Sequence, residues 1–179
     1  MNTSRYTSTA IALHWLIAVM LLMSVSVGLY MTGLKFSPEQ LKLFNWHKWA
    51  GVTIFMLVLV RCGWRLFHAA PPLPESMPVW QRRGGTITHL LLYALMLAIP
   101  LSGWLMSSAK GFQTVYFGQI PIPDLLGKDK ELGELLTLVH KFLNYSMIAI
   151  AIAHAAAALK HHFIDKDDVL RRMLPAKRA

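Results

Sequence analysis

The last apolar stretch of the chain, about residues 136–163, carries two histidines, and this combination restricts the fold more than any other feature. His140 and His154 are 14 residues apart. On an α-helix of about 3.6 residues per turn, 14 steps return to nearly the same face, and a rise of about 1.5 Å per residue separates the rings by about 21 Å. That separation fits inside a hydrocarbon core of about 30 Å. The stretch therefore indicates a membrane-spanning helix with polar sites at two depths.

Three further apolar stretches, at about 10–31, 46–67 and 86–107, are also long enough to cross a bilayer. The connections between the four stretches are short, which favours antiparallel neighbours. We therefore predict an all-α fold, a four-helix up-down transmembrane bundle that forms a single domain over residues 1–179. Its end, residues 164–179, is expected to be a short interfacial tail with an amphipathic helix.

The composition favours a membrane protein over a soluble or nucleic-acid-binding one. The chain is 55% hydrophobic and has a net charge of +9. Its basic residues flank the apolar runs and form no separate patch, so the lipid bilayer is the expected partner and nucleic acid is not. Cys62 is the single cysteine, which excludes an intrachain disulfide and any multi-cysteine iron–sulfur or zinc site.

The distribution of positive charge predicts the orientation in the membrane. The two ends of the chain, together with the second connection and its flanks, hold eleven of the 18 Lys and Arg residues. Cytoplasmic segments carry this excess in multi-pass membrane proteins. Both termini are therefore expected on the cytoplasmic side of the membrane.

With that orientation, five histidines fall at two depths. His47 and His140 lie at the outer level, whereas His14, His89 and His154 lie at the inner level. Neutral imidazole is a good axial ligand for haem iron, and two histidines per haem fill both axial positions, which suits electron transfer. Two such haems need four histidines. The alternative is that these residues only form hydrogen bonds between helices.

Other residues follow the histidines at the same interval of 14 positions. Arg61 follows His47 and falls at the inner level, where it is a candidate partner for a haem propionate, although an interfacial arginine is the alternative. Gly28 follows His14, and Gly103 occupies the matching place in the third span. Glycine at these positions would allow a macrocycle to approach the backbone closely, or would serve ordinary helix packing.

Several motifs resemble the prokaryotic cytochrome b561 family, which includes superoxide oxidases. They are ALHW, NWHKWAG, HLLLYALMLAIPLSGWLM, VHKF and AHAAAALKHHFIDKDDVLRRMLP, and together they cover nearly the whole chain. The resemblance implies two b haems, with His14 paired with His154 and His47 paired with His140. It also implies exchange of electrons with ubiquinone near the cytoplasmic side, and it does not make His89 an axial ligand.

The inner quinone site has two candidate residues. His161 lies seven residues after His154, on a similar face, and the resemblance makes it a quinone-site candidate because its ring can donate to a carbonyl or carry a proton. His89 is the second candidate, as the histidine left over at the inner level. An interfacial histidine in a basic tail is the alternative for His161.

Lysines adjoin both outer histidines. Lys48 follows His47 and Lys141 follows His140, so their charge could attract a small anion such as superoxide. Simple solvation of the helix ends is the alternative.

Three classes of function remain open from the sequence. The favoured one is a superoxide:quinone oxidoreductase that passes electrons from an outer-side donor through two haems to ubiquinone. The second is a haem-bearing anchor subunit of a larger quinone-linked hydrogenase or dehydrogenase, and the third is a haem-free transporter or receptor. The sequence does not decide between a monomer and a homodimer.

Overall fold

The predicted four-helix fold is confirmed in the computed structural model, which describes residues 5–74 and 77–175. The helices are α1 (Ser8–Thr32), α2 (Pro38–Phe67), α3 (Val79–Ala109) and α4 (Lys130–Phe163), and each is long and apolar enough to cross a membrane. Each predicted span lies inside one of these helices, and α2, α3 and α4 begin six or more residues earlier than expected.

Polar side chains cap three helix starts. Thr7 accepts a hydrogen bond from the Ala10 amide at the start of α1, and Ser37 and Asp129 do the same for α2 and α4. Such caps satisfy amide groups that have no partner within the helix. The start of α3 follows Pro78 instead and has no side-chain cap.

The helices pack as two hairpins. In the described residues α1 packs mainly on α2, α3 packs mainly on α4, and α2 joins the hairpins through α3, while α1 and α4 hardly touch. The buried apolar cluster is small and centres on Ile17, Ile54 and Val58. Most other large apolar side chains of the helices face outward, as lipid-facing side chains do.

The connection between α3 and α4 folds back onto the flank of α2, which the sequence did not indicate. It contains a short antiparallel pair, β1 (Val115–Tyr116) and β2 (Ile120–Pro121). The Trp49 indole donates to the Val115 carbonyl at 2.7 Å, and Thr53 and Tyr116 share a hydrogen bond of 2.8 Å. The connection therefore covers α2 just beyond His47.

The C-terminal tail is not the amphipathic helix that the sequence indicates. Within its described part, up to residue 175, it contains only the 3-10 turn Arg171–Met173. The Trp15 indole donates to the Met173 carbonyl at 2.8 Å, and the Arg172 guanidinium bonds the Pro72 carbonyl. A hydrogen bond from Arg172 lowers the pKa of Asp168 below its usual value. The tail is thus held across the inner end of the bundle, and residues 176–179 of the predicted tail lie outside the described residues.

Candidate functional site

The outer pair of histidines meets across the bundle. The ring centroids of His47 on α2 and His140 on α4 are 6.3 Å apart, and the ring planes are nearly perpendicular, at 89°. The fold thus brings together two residues that are 93 positions apart in the chain, as their assignment to the same depth predicts.

Each outer ring is held through the same nitrogen. His47 Nδ1 lies 3.0 Å from the Ser24 carbonyl oxygen and 3.2 Å from Ser24 Oγ. His140 Nδ1 lies 3.1 Å from the Ile99 carbonyl oxygen and 2.9 Å from Ser102 Oγ. A carbonyl oxygen can only accept, so Nδ1 carries the proton and Nε2 presents its lone pair. Metal-binding histidines are commonly oriented in this way by a second group.

A glycine backs each of these rings. A Cβ atom placed on Gly28 would lie 3.2 Å from His47 Cε1, and one on Gly103 would lie 3.1 Å from His140 Cε1. Both distances are tighter than ordinary side-chain packing allows. The close approach predicted at these glycines is therefore present, but the group that approaches is the imidazole of the next helix.

These contacts reveal an internal repeat that sequence reasoning missed. Ser24 and Gly28 of α1 hold His47, while Ile99 and Gly103 of α3 hold His140. Both members of the α1 pair precede their α3 counterparts by 75 residues, as His14 precedes His89. The sequence did carry one sign of this repeat, because a glycine follows a histidine by 14 residues in both α1 and α3.

The three inner histidines form one group. The His14 and His154 ring centroids are 6.4 Å apart with planes at 76°, and the His89 and His154 centroids are 5.2 Å apart with planes at 68°. His89 therefore packs on His154 itself.

Arg61 lies beside this inner group. Its Nη1 donates to the Ala10 carbonyl at 2.8 Å, one turn before His14, and its Nε donates to the Tyr93 hydroxyl at 2.9 Å, one turn after His89. Two hydrogen bonds fix the guanidinium at the inner level and leave other N–H donors for an anionic group.

His161 lies at the inner end of α4 among carboxylates. Its Nδ1 is 2.6 Å from Asp167 Oδ2 and 3.2 Å from Asp165 Oδ2. Lys160 Nζ in turn contacts Asp165 at 2.6 Å. Asp167 is thus the main partner of the ring, and the second ring nitrogen stays available to another group.

The two outer lysines differ in their surroundings. Lys48 Nζ donates to the Phe112 carbonyl at 2.9 Å and so ties the third connection to α2. Lys141 is exposed and makes no hydrogen bond or ion pair within the described residues. Of these two lysines, only Lys141 has an ammonium group without a hydrogen-bond partner in the described part of the chain.

An apolar cleft of about 200 Å³ lies beside His47. Its lining comes from α1 and α2: Met20, Met23, Ser24, Val27, Trp46, His47 and Ala50.

A membrane bundle that pairs histidines at two depths defines the class of b-type membrane cytochromes. The chain belongs to the prokaryotic cytochrome b561 family, whose sequence profile matches residues 5–176. The protein is therefore a bacterial membrane protein of an electron-transfer family that binds b-type haem.

Three curated relatives match nearly the full chain. Cytochrome b561 homolog 2 of Escherichia coli (strain K12) is 36% identical, over 95% of this chain and 91% of its own length. Cytochrome b561 homolog 1 of the same organism is 28% identical, over 98% and 99%. Probable superoxide oxidase CybB of Yersinia pestis is 30% identical, over 97% and 98%.

The donor geometry fits a haem at each level. Two imidazoles on opposite sides of one metal ion, with bonds of about 2 Å and ring radii of about 1.1 Å, have centroids about 6 Å apart. The separations of 6.3 Å for His47 with His140 and 6.4 Å for His14 with His154 match this value. The 5.2 Å between His89 and His154 is too short for that arrangement.

Proposed function

We propose that this protein is a di-haem cytochrome b of the bacterial inner membrane that transfers electrons from superoxide on the outer side to ubiquinone. His47 and His140 hold the outer haem, and His14 and His154 hold the inner one. The observation that carries this proposal is the pair of matching ring separations, 6.3 Å and 6.4 Å, at two depths of one bundle. Most Lys and Arg residues lie on the side of the bundle that carries both termini, and this excess supports a cytoplasmic position for the termini.

When bound, the haems supply one-electron oxidation and reduction. His47 and His140 would hold the outer haem and His14 and His154 the inner one, and their imidazoles would leave no open iron position for the donor to bind. The hydrogen bonds at Nδ1 of His47 and His140 fix the ring tautomer before the donor arrives. Two superoxide ions each lose one electron and become O₂, and ubiquinone takes up both electrons with two protons from the inner side.

The choice of donor rests on charge and on a relative. The uncommitted ammonium of Lys141 next to His140 favours a small anion, and positive charge at a docking point raises the rate of encounter. The Yersinia pestis relative, 30% identical over nearly its whole length, carries the name probable superoxide oxidase.

The choice of acceptor site rests on His161 and Asp167. His161 Nδ1 and Asp167 Oδ2 are 2.6 Å apart, so Nδ1 donates a hydrogen bond to the carboxylate. The other ring nitrogen, Nε2, therefore faces away from the carboxylates. A ring oriented in this way can exchange a proton with a quinone oxygen. Arg61 is assigned to a haem propionate of the inner site, because it has donors beyond those used on Ala10 and Tyr93.

The direct test is anaerobic mixing of the purified protein with potassium superoxide, followed through the haem absorption bands. We expect rapid haem reduction without quinone, and reoxidation once ubiquinone-1 is added. Catalase and superoxide dismutase controls separate superoxide from its dismutation products. A protein that superoxide leaves oxidised, but that ubiquinol-1 reduces, would reject the donor and leave a quinone-linked electron carrier.

Replacing Lys141 with Gln should slow haem reduction by superoxide about two- to fivefold at low ionic strength, because one steering charge is lost. The difference should vanish at about 0.5 M salt, where the screening length falls to a few ångströms. Stopped-flow measurement at several salt concentrations checks this. Lys141→Arg should keep the native rate, and Lys130→Gln, a distant outer lysine, should change it little. Equal rates for Lys141→Gln and the native protein would remove this lysine from the path of the donor.

Replacing Asp167 with Asn should slow haem reduction by ubiquinol-1 about tenfold and leave reduction by superoxide unchanged, because only the quinone reaction exchanges protons. Asp165→Asn is the matched control, since that carboxylate lies farther from the ring and already pairs with Lys160. Asp167→Glu should restore part of the rate. A uniform loss of both half-reactions in Asp167→Asn would indicate a structural role only.

A further inference from the structure

The connection between α3 and α4 contains a charge-free hairpin whose large apolar side chains remain exposed. Residues 111–123, which we call the outer hairpin, read GFQTVYFGQIPIP and include β1 and β2. Phe112, Phe117 and Ile120 keep 64%, 60% and 62% of their surface exposed. Exposed apolar side chains that are gathered on one segment indicate an interaction surface.

The outer hairpin is attached to α2 at the level of the outer histidines. Lys48 and Trp49, which directly follow His47, donate to its carbonyl groups at 2.9 Å and 2.7 Å. The Tyr116 hydroxyl reaches Thr53, which lies six residues or about 9 Å beyond His47 along α2. The outer hairpin therefore lies beside the apolar part of α2 and not beyond the end of that helix.

This level lies inside the border of the hydrocarbon core. The two histidine levels are about 21 Å apart, so each lies about 4–5 Å inside a core of about 30 Å that is centred on them. Glu39 and Lys42 mark the water side, because they precede His47 by eight and five residues and so lie about 12 Å and 8 Å farther out. The outer hairpin is thus at a depth where exposed phenylalanine and isoleucine side chains are favourable.

Backbone groups of the outer hairpin find partners within the protein. The Ile122 amide donates to the Thr114 carbonyl at 2.8 Å, and the Trp104 indole donates to the Pro123 carbonyl at 2.9 Å. Pro121 and Pro123 have no amide hydrogen that needs an acceptor. Backbone groups next to lipid must be satisfied internally, so these bonds lower the cost of placing the hairpin against the membrane.

We propose that the outer hairpin is an interfacial anchor that inserts Phe117 and Ile120 among the acyl chains of the outer leaflet. The partner is phospholipid and not a docking protein, because the hairpin lies at the depth of lipid and has no charged residue to fix the orientation of a protein. The inference rests on the fold of the chain and not on the proposed electron transfer.

The test measures how fast a charged maleimide, which stays in water, reacts with single cysteines in Phe117→Cys and Ile120→Cys. Both variants also carry Cys62→Ala, and the protein is placed in nanodiscs of phosphatidylethanolamine and phosphatidylglycerol, which leave both faces in water. The water control is Lys130→Cys at the start of α4, and the lipid control is Leu22→Cys, a position 70% exposed on α1. We expect both hairpin cysteines to match the lipid control and to react at least about tenfold more slowly than the water control, because a thiol in apolar surroundings keeps its proton.

A hairpin cysteine that reacts as fast as the water control in nanodiscs overturns the proposal. Fast reaction in nanodiscs that becomes slow in native membranes also overturns it, because a protein would then cover the hairpin.

A second measurement uses the unsubstituted protein and a phosphatidylcholine with a photoactivatable group on its acyl chain. We expect cross-linked lipid on peptides that contain residues 111–123, which shows that lipid, and not the protein itself, shields the hairpin. Cross-links on the four helices with none on the outer hairpin would contradict the proposal, even if the cysteines react slowly.

Discussion

His140→Ala should purify with one haem per chain and without the outer low-spin signal. The outer iron would keep His47 alone, and the described residues offer no other histidine near that ring. His154→Ala should likewise remove the inner haem and leave the outer one, because the inner iron would keep His14 alone. Haem content and EPR signals measure both losses.

The two variants should also separate haem reduction by superoxide from haem reduction by ubiquinol-1. His140→Ala should lose haem reduction by superoxide, since the donor arrives at the outer side, while ubiquinol-1 still reduces the inner haem. His154→Ala should show the reverse. His68→Ala is the control, because that exposed ring stacks on Trp64 at 3.9 Å, away from both pairs. Retention of both haems in either ligand variant would show that the ligand assignment is wrong.

Gly103→Val should displace the outer haem while every axial ligand stays in place. A Cβ there would lie 3.1 Å from His140 Cε1 and 3.4 Å from Nδ1. Movement of the ring away from this Cβ would lengthen its hydrogen bonds to Ser102 Oγ and the Ile99 carbonyl. Overpacking of this kind costs about 1–3 kcal/mol. We expect loss of most outer haem, or its conversion to a high-spin form, with the inner haem preserved.

The internal repeat supplies a replicate and a control for this prediction. Gly28→Val should have the same effect through His47, where the corresponding distance is 3.2 Å. Gly63→Val is the control in α2, because a Cβ there meets nothing within 4 Å and Gly63 lies on the helix face away from His47, so both haems should remain. Equal haem content in Gly103→Val and Gly63→Val would show that ring position does not control the outer site.

Helix geometry explains which parts of the fold and site were predictable from the sequence. The interval of 14 residues between His140 and His154 depends only on the rise and turn of one helix, so it gave the two depths directly. Long uncharged stretches must form helices in lipid, because backbone groups find no water there. These two rules were enough for the four spans and for the levels of the histidines.

The remaining features depend on how one helix is placed against the next. The bonds from Ser24 and Ile99 to the histidine rings require a particular register between helices, which spacing within one helix does not fix. The glycines were expected to admit a macrocycle, but the register places an imidazole against each of them. The third connection was equally hidden, because its attachment to Lys48 and Trp49 uses backbone carbonyls that have no sequence signature.

The number of haems per chain tests the central claim most directly. A pyridine haemochrome assay on the purified protein, referred to protein concentration by amino-acid analysis, gives this number without assumptions about donor or acceptor. The arrangement of His14 with His154 and His47 with His140 predicts two b haems per chain, both low-spin by EPR. One haem or none per chain in fully loaded protein would contradict it.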